Sequence, residues 1–166
     1  MFNIGDYVVN ANNGICRIKE IVQMDTSGDK HEKSYFLLIP VGDDGGKVFI
    51  PVDNAHKRIR NVVDKDTALV AIDSIPEIQE IVITNEKERE AKYKEAVKSC
   101  EISQLISLIK SLRTRYKERA AQGKKATAVD ERYYKIAEHN LNSELAFAIG
   151  IDRKEVGEFI EKRLGI

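Results

Sequence analysis

The stretch G-D-Y-V-V at residues 5–9 begins a series of short segments with strand composition, and this series decides the fold. An Asn-Gly turn follows at residues 13–14, and V-F-I-P at residues 48–51 closes the series. Asn and Gly tolerate the positive φ angles that tight turns between strands require. After about residue 64 the hydrophobic period lengthens to that of helices and does not change back. The sequence therefore predicts an α+β protein, a small β module followed by a helical module.

Strands in the first module are marked by β-branched and aromatic residues between Gly, Pro and Asn. We predict strands at residues 7–9, 15–22, 34–39 and 47–50, with room for a short fifth at 57–60. The second strand alternates imperfectly, which a bulge near Lys19-Glu20 would reconcile. Short strands joined by tight loops, here at 25–33 and 42–46, are typical of a small open barrel of the SH3 or Tudor kind.

Capping patterns divide the second module into helices. Asp64, Asn85, Thr127 and Asp152 stand where side-chain caps are expected, and Gly150 stands where a helix would end. The clearest helical periodicity joins Ile102, Leu105, Ile106, Ile109, Leu112 and Tyr116. We therefore predict two domains, a Tudor-like domain at residues 1–60 and a helical domain at residues 61–166.

Charge is unevenly distributed, although 27 basic and 27 acidic residues give the chain no net charge. Residues 85–125 carry 12 basic and 6 acidic groups, while residues 61–84 carry 1 and 5. Concentrated positive charge is a footprint for a phosphate backbone, and it is equally typical of a solvated helical face. The candidate DNA-contacting residues are Arg89, Lys92, Lys110, Arg113, Lys117, Lys124, Lys125 and Arg132. Such charges can contact phosphates without reading the base sequence.

Several other classes of protein find little support in the sequence. Apolar runs such as those at 36–39 and 81–83 are far shorter than the roughly 20 residues of a membrane span. The N-terminus lacks the pattern of a secretion signal, and two cysteines are too few for a disulfide scaffold, so we expect a cytoplasmic protein with reduced thiols. The three histidines share no metal-ligand spacing with the cysteines, and no catalytic pair stands out. We predict no enzyme, metal or cofactor.

The predicted fourth strand is a candidate docking edge. An exposed strand edge can pair with a strand of another protein, and Pro51 stops further pairing because it lacks an N–H. The candidate residues are Lys47, Val48, Phe49 and Ile50. Phe49 is equally consistent with a core residue and with an anchor for a partner.

Taken together, M-F-N-I-G-D-Y-V-V, N-G-I-C-R-I, V-F-I-P-V and the later helices resemble the CarD-type (CdnL-like) bacterial transcription regulators. The first module is also similar to the RNA-polymerase-interacting domain of transcription-repair coupling factor. The resemblance implies a Tudor-like domain that pairs a strand with the β subunit of bacterial RNA polymerase. Residues 47–50 would form that strand, with Gln23 and Thr26 nearby. It also implies helices that touch promoter DNA and stabilise the open complex.

Two positions depart from the family pattern. Many members have Arg where this chain has Phe49, so the polymerase contact here is apolar or relies on Lys47. Many members also carry a Trp at the start of the helix that begins at Asn85, where it wedges into the minor groove; this chain has Glu86 there and no Trp. We therefore expect a monomer with weak, non-specific DNA contact at Asn85, Glu86 and the basic residues above, or an adaptor that binds polymerase without a DNA role.

Overall fold

The computed structural model describes residues 1–43 and 45–166, and these form two compact units, Met1–Val62 and Val63–Ile166. The first unit is an antiparallel sheet and the second is helical, which confirms the α+β class. Asp44, in the predicted 42–46 loop, lies outside the described residues.

The sheet of the first unit has five strands in the order β4-β3-β2-β1-β5. Its strands are β1 (Tyr7–Asn10), β2 (Gly14–Met24), β3 (Lys33–Pro40), β4 (Val48–Pro51) and β5 (Ile59–Asn61). The predicted bulge is confirmed, because the β2–β3 register shifts between Ile18 and Glu20. Gly14 has a φ of 67° and begins β2 after the tight turn. A core that includes Val8, Ile18 and Leu38 lies against one face of the sheet.

The second unit contains five α-helices that the sequence caps locally. They are α1 (Lys65–Asp73), α2 (Arg89–Lys98), α3 (Ile102–Ala121), α4 (Ala128–Ile149) and α5 (Val156–Leu164). Asp64 accepts from the Thr67 N–H at 2.7 Å, and Thr127 Oγ1 accepts from the Asp130 N–H at 3.1 Å. The predicted capping box of Asp152 and Glu155 is present, and Gly150 ends α4 in the left-handed conformation.

Several predicted elements differ in detail from the observed ones. The fifth strand, predicted at 57–60, is observed at Ile59–Asn61 because a 3-10 turn occupies Ala55–Lys57. The predicted strand at 47–50 is observed one residue later and includes Pro51, which an edge strand tolerates. The helix predicted to start at Asn85 begins as a 3-10 turn, Glu86–Glu88, and becomes α-helical only at Arg89. Asn85 caps that turn by accepting from the Lys87 N–H at 3.1 Å.

Candidate functional site

Strand β4 is a terminal strand of the sheet, and β3 is its neighbour. The Val52 N–H donates to the Ser34 carbonyl at 3.0 Å. Hydrogen-bonded positions alternate along an antiparallel pair, so Ile50 directs its main-chain groups at β3, while Phe49 and Pro51 direct theirs away from it. The side of β4 away from β3 therefore carries the N–H and C=O of Phe49 and the C=O of Pro51.

The side chains of β4 alternate between the two faces of the sheet. Ile50 is buried in the core of the first unit and Val48 packs against that core. Phe49 points to the opposite face and is 42% exposed, and Lys47, just before the strand, is exposed. The alternative in which Phe49 is a core residue is therefore not the observed one, and its ring is accessible beside its own outward main-chain groups.

The hairpin loop between β2 and β3 is tied to the start of β3. Gln23 Nε2 donates to Ser34 Oγ at 2.8 Å, and Thr26 Oγ1 lies 3.0 Å from the Tyr35 hydroxyl. Tyr35 is the register partner of Pro51, and the Ser34 carbonyl accepts from Val52. The structure thus brings Gln23 and Thr26 to the end of β3 that faces the end of β4.

Asp25 organises that loop through main-chain hydrogen bonds, a role that the sequence analysis does not predict. Its carboxylate accepts from the main-chain N–H groups of Ser27, Gly28 and Lys30, at 2.9 to 3.1 Å. Desolvation raises the pKa of Asp25 and these hydrogen bonds lower it, and the lowering prevails. The signal was present in the order Asp-Thr-Ser-Gly, because an Asp side chain often bonds the main chain two residues on.

Glu86, at the start of the 3-10 turn before α2, binds arginines of its own domain. Its carboxylate accepts from Arg89 Nε at 2.8 Å and lies 3.9 Å from Arg115 Nη1. Hydrogen bonding by Arg89, opposed by desolvation and assisted by both positive charges, lowers the pKa of Glu86. Arg89 also donates to the Tyr93 hydroxyl at 3.0 Å. Arg89 is therefore largely engaged within the protein.

Arg115 is paired with a buried carboxylate. Its Nε donates to Asp130 Oδ2 at 2.7 Å, and Asp130 is only 1% exposed. The other oxygen, Asp130 Oδ1, has no hydrogen-bond partner among the described residues. Arg132 in turn donates to Glu90 at 2.6 Å and lies 5.1 Å from the centre of the Tyr133 ring. These arginines hold α2, α3 and α4 together.

Lys110 belongs to a polar row along α3 that the sequence reading missed. Its ammonium donates to the carbonyls of Ile75 and Ile78 at 2.9 and 2.6 Å. Ser107 donates to the Gln79 carbonyl at 2.6 Å, and Ser111 accepts from the Ile81 N–H at 2.7 Å. The row fastens the segment 75–81, which begins with the 3-10 turn Ile75–Glu77, along the helix. Its signal was the spacing of Ser107, Lys110, Ser111 and Thr114, which places them on one helical face.

The remaining candidate cations divide into one engaged residue and four exposed lysines. Arg113 Nε donates to the Tyr134 hydroxyl at 3.2 Å. Within the described part of the chain, no ion pair within 4.0 Å involves the exposed residues Lys92, Lys117, Lys124 and Lys125. These four lysines, called the free lysines below, are the cations most available to an external anion.

The comparison with known families decides the class of the first unit. Residues 2–63 match the family model of the CarD-like/TRCF RID domain. The first unit is therefore similar to this domain family over residues 2–63. The RID is a domain that interacts with RNA polymerase, so the match supports an RNA-polymerase-interacting protein. No curated protein matches the chain.

The RID domain is a protein-interaction domain rather than a catalytic one. Among residues 1–43 and 45–166, no group of three or more His, Cys, Asp or Glu side chains has a geometry able to hold a metal ion. In the same residues, no helix is both long and apolar enough to span a bilayer. Strand β4 and the loop at Gln23 and Thr26 lie within the RID domain, whereas the free lysines lie in the helical unit beyond residue 63.

Proposed function

We propose that this protein is a transcription regulator, a cytoplasmic monomer that docks on the β subunit of bacterial RNA polymerase. Residues 1–60 dock by adding a polymerase strand to β4, and residues 61–166 supply weak, non-specific contact with promoter DNA. Together they modulate the stability of the open complex.

The main-chain geometry of Phe49 is the observation that carries the docking proposal. Its N–H and C=O both lie on the side of β4 away from β3, and its exposed ring stands beside them. Strand addition draws its affinity from such main-chain groups and its specificity from neighbouring side chains. Lys47, just before β4, is the candidate polar residue nearest the added strand. Gln23, on β2, is separated from that strand by β3 and β4, and Thr26 contacts Tyr35 of β3, so these two would meet a more distant part of the partner.

The DNA contact is proposed for the free lysines, together with Asn85 and Arg113. A module tethered beside a promoter sees a high effective concentration of DNA, so a few phosphate contacts suffice. Glu86, Arg89, Lys110 and Arg132 are engaged within the domain, and we expect them to support this surface rather than to contact DNA strongly.

Replacing Phe49 with Asp tests the docking proposal. We expect Phe49→Asp to abolish co-purification with the polymerase β subunit, because it places a carboxylate beside the added strand. Val70→Asp is the matched control, since Val70 is a 67% exposed apolar residue of α1. Undiminished binding by Phe49→Asp, with the protein folded, would show that β4 is the wrong surface.

An adaptor that binds polymerase but not DNA is the second candidate. It is favoured by Glu86, whose carboxylate stands where an apolar wedge would be needed and would be repelled by phosphates. Footprints and open-complex lifetimes, measured with and without the protein, separate the two candidates. Protection of promoter DNA and an altered lifetime support the regulator, and an unchanged footprint supports the adaptor.

A further inference from the structure

Two cavities adjoin on the helical unit, between α3, α4 and α5. The first, which we call the apolar cleft, has a volume of about 220 Å³, and the second, the cationic mouth, has a volume of about 540 Å³. Glu138, Asn142 and Gly157 line both, so the two form one continuous depression. None of the residues proposed for docking on polymerase lines it.

The apolar cleft is walled by aliphatic side chains. Its lining includes Ile106, Ile109, Leu141, Ile160 and Leu164. Arg113 and Glu161 stand among its polar lining residues. A concave, mainly apolar surface with a few polar groups is the usual form of a small-molecule site.

The cationic mouth has more positive than negative charge. It is lined by Lys135, Arg153 and Lys154 and by a single carboxylate, that of Glu138. Arg153 donates to Nδ1 of His139, which requires that nitrogen to be unprotonated. Partial burial and the Arg153 charge lower the pKa of His139. Arg153 thus meets His139 with no carboxylate between them, and the positive charge of Arg153 would attract an anion placed in the mouth.

Gly157 keeps the junction of the two cavities open. It lies within α5, where glycine is less favourable than alanine because it loses more conformational freedom. A Cβ added at this position would meet no atom within 4 Å, so packing does not demand glycine. The consequence of glycine here is a passage between the cavities that no side chain fills.

We propose that this depression binds a small molecule that joins an apolar or aromatic body to phosphate groups, the body in the apolar cleft and the phosphates in the cationic mouth. Arg153 supplies a planar fork of donors suited to phosphate oxygens, and Lys135 and Lys154 add charge. A bare phosphate backbone would leave the apolar cleft unused, which distinguishes this site from a DNA contact.

Isothermal titration of the full chain with four probes tests the site: ADP, octyl phosphate, pyrophosphate and adenosine. We expect ADP, octyl phosphate or both to bind at least about tenfold more tightly than pyrophosphate and adenosine, since those two each fill one half of the site. Preference for ADP assigns a nucleotide, and preference for octyl phosphate assigns a lipid-like ligand. Equal binding of pyrophosphate, or no binding of any probe, overturns the proposal.

Variants of residues that line the depression test whether the ligand binds there. Gly157→Leu fills the junction and Arg153→Gln removes the fork, and each is expected to weaken binding about tenfold. Lys162→Gln, on an exposed part of α5 outside the depression, is the control and should bind as the wild type does. Gly157→Ala should fold at least as stably as the wild type, which separates blockage from unfolding. Wild-type affinity in Gly157→Leu would overturn the site.

A proton titration of His139 by NMR gives an independent readout. The charged groups that line the mouth with His139 are Lys135 and Glu138 on α4 and Arg153 and Lys154 in the 3-10 turn before α5. A bound anion should raise the pKa of His139, because it offsets the positive charge of Arg153. An unchanged His139 titration at saturating probe would contradict binding in the mouth. These measurements need no polymerase, so their outcome is independent of the proposed function.

Discussion

At the scale of the residue, Arg115 is a cation of the basic segment that binds a buried carboxylate, that of Asp130, rather than solvent. Asp130 is buried and only one of its oxygens is hydrogen bonded, to Arg115. Burial of the Tyr116 hydroxyl, reinforced by the Asp130 charge, raises the pKa of Tyr116 to about 12. An arginine that neutralises such a carboxylate is part of the domain's interior, whatever the charge of the segment around it.

We predict that Arg115→Gln destabilises the protein by about 3 kcal/mol, because it leaves the Asp130 carboxylate buried without its cation. Urea unfolding measures the change. Lys117→Gln, on the same helix but exposed, should cost less than about 0.5 kcal/mol. The double variant Arg115→Gln with Asp130→Asn should recover most of the loss. If Arg115→Gln weakens DNA binding while leaving stability unchanged, Arg115 is a DNA contact instead.

At the scale of the element, strand β4 directs alternate main-chain groups toward β3 and away from it. Its inward groups complete the pairing with β3, and Pro51 occupies a position where the missing N–H would have pointed away from β3. Phe49, two residues before Pro51, likewise directs its main-chain groups away from β3. A change confined to the outward side can therefore separate docking from folding.

We predict that Phe49→Pro leaves the fold intact but abolishes polymerase binding, because it removes an N–H that β3 does not use. Ile50→Pro is the contrasting variant, since it removes an N–H that faces β3 and should destabilise the sheet by about 3 kcal/mol. Thermal unfolding and co-purification with the β subunit measure the two effects. Normal binding by Phe49→Pro would mean that side chains, not strand pairing, make the contact.

The segment 75–81, a short 3-10 turn (Ile75–Glu77) followed by irregular chain, is fixed in place by α3. Helix α1 ends at Asp73, Pro76 lies in the 3-10 turn that follows, and polar side chains on α3 bind the main chain beyond it. Buried main-chain groups need such partners when no strand or helix supplies them. Lys110 thus satisfies carbonyls of the chain, which explains a lysine beside the apolar stripe of α3.

At the scale of the whole molecule, the chain is built from two units with separate cores. Val8, Ile18 and Leu38 belong to the first core, and Tyr93, Leu108 and Leu145 belong to the second. The proposed division of labour follows the same boundary, with polymerase docking in one unit and DNA contact in the other.

We predict that replacing Lys117, Lys124 and Lys125 together with Gln weakens DNA binding and reduces the slope of log K against log salt by about 2.7, or 0.9 for each lost phosphate contact. Fluorescence anisotropy across a salt series measures that slope. Lys162→Gln, a lysine paired with Glu158 on α5, is the control for net charge. If the triple variant keeps the wild-type slope, Lys117, Lys124 and Lys125 do not contact phosphates and the adaptor is favoured.

The fold was largely predictable because its signals are local. The Asn-Gly turn, the bulge near Lys19-Glu20 and the capping box at Asp152 each depend on residues within a few positions of one another. Element ends were predicted less closely, as at the start of α2, where a 3-10 turn precedes the helix. Cap and turn chemistry acts over three or four residues, so it can be read directly from the chain.

The candidate sites were predicted only in part, because their decisive contacts join distant residues. The position of β4 was close to the prediction, but which groups of Phe49 face away from β3 depends on pairing with a strand some 12 residues earlier. The basic segment gave no sign that Arg132 binds Glu90, 42 residues away, or that Lys110 binds carbonyls 32 and 35 residues away. The charged residues can be counted from a sequence, but which of them are free to bind another molecule depends on contacts that form in the fold.

The sequence by itself determined the change from strands to helices, the places where most elements begin and end, and the resemblance of the first domain to its family. Only the tertiary structure decided which arginines are engaged within the protein, which side of β4 is turned away from β3, and that α4 and α5 leave a cationic depression. Periodicity and capping are properties of neighbouring residues, whereas the pairing of charges and the shape of cavities arise when separate elements pack together.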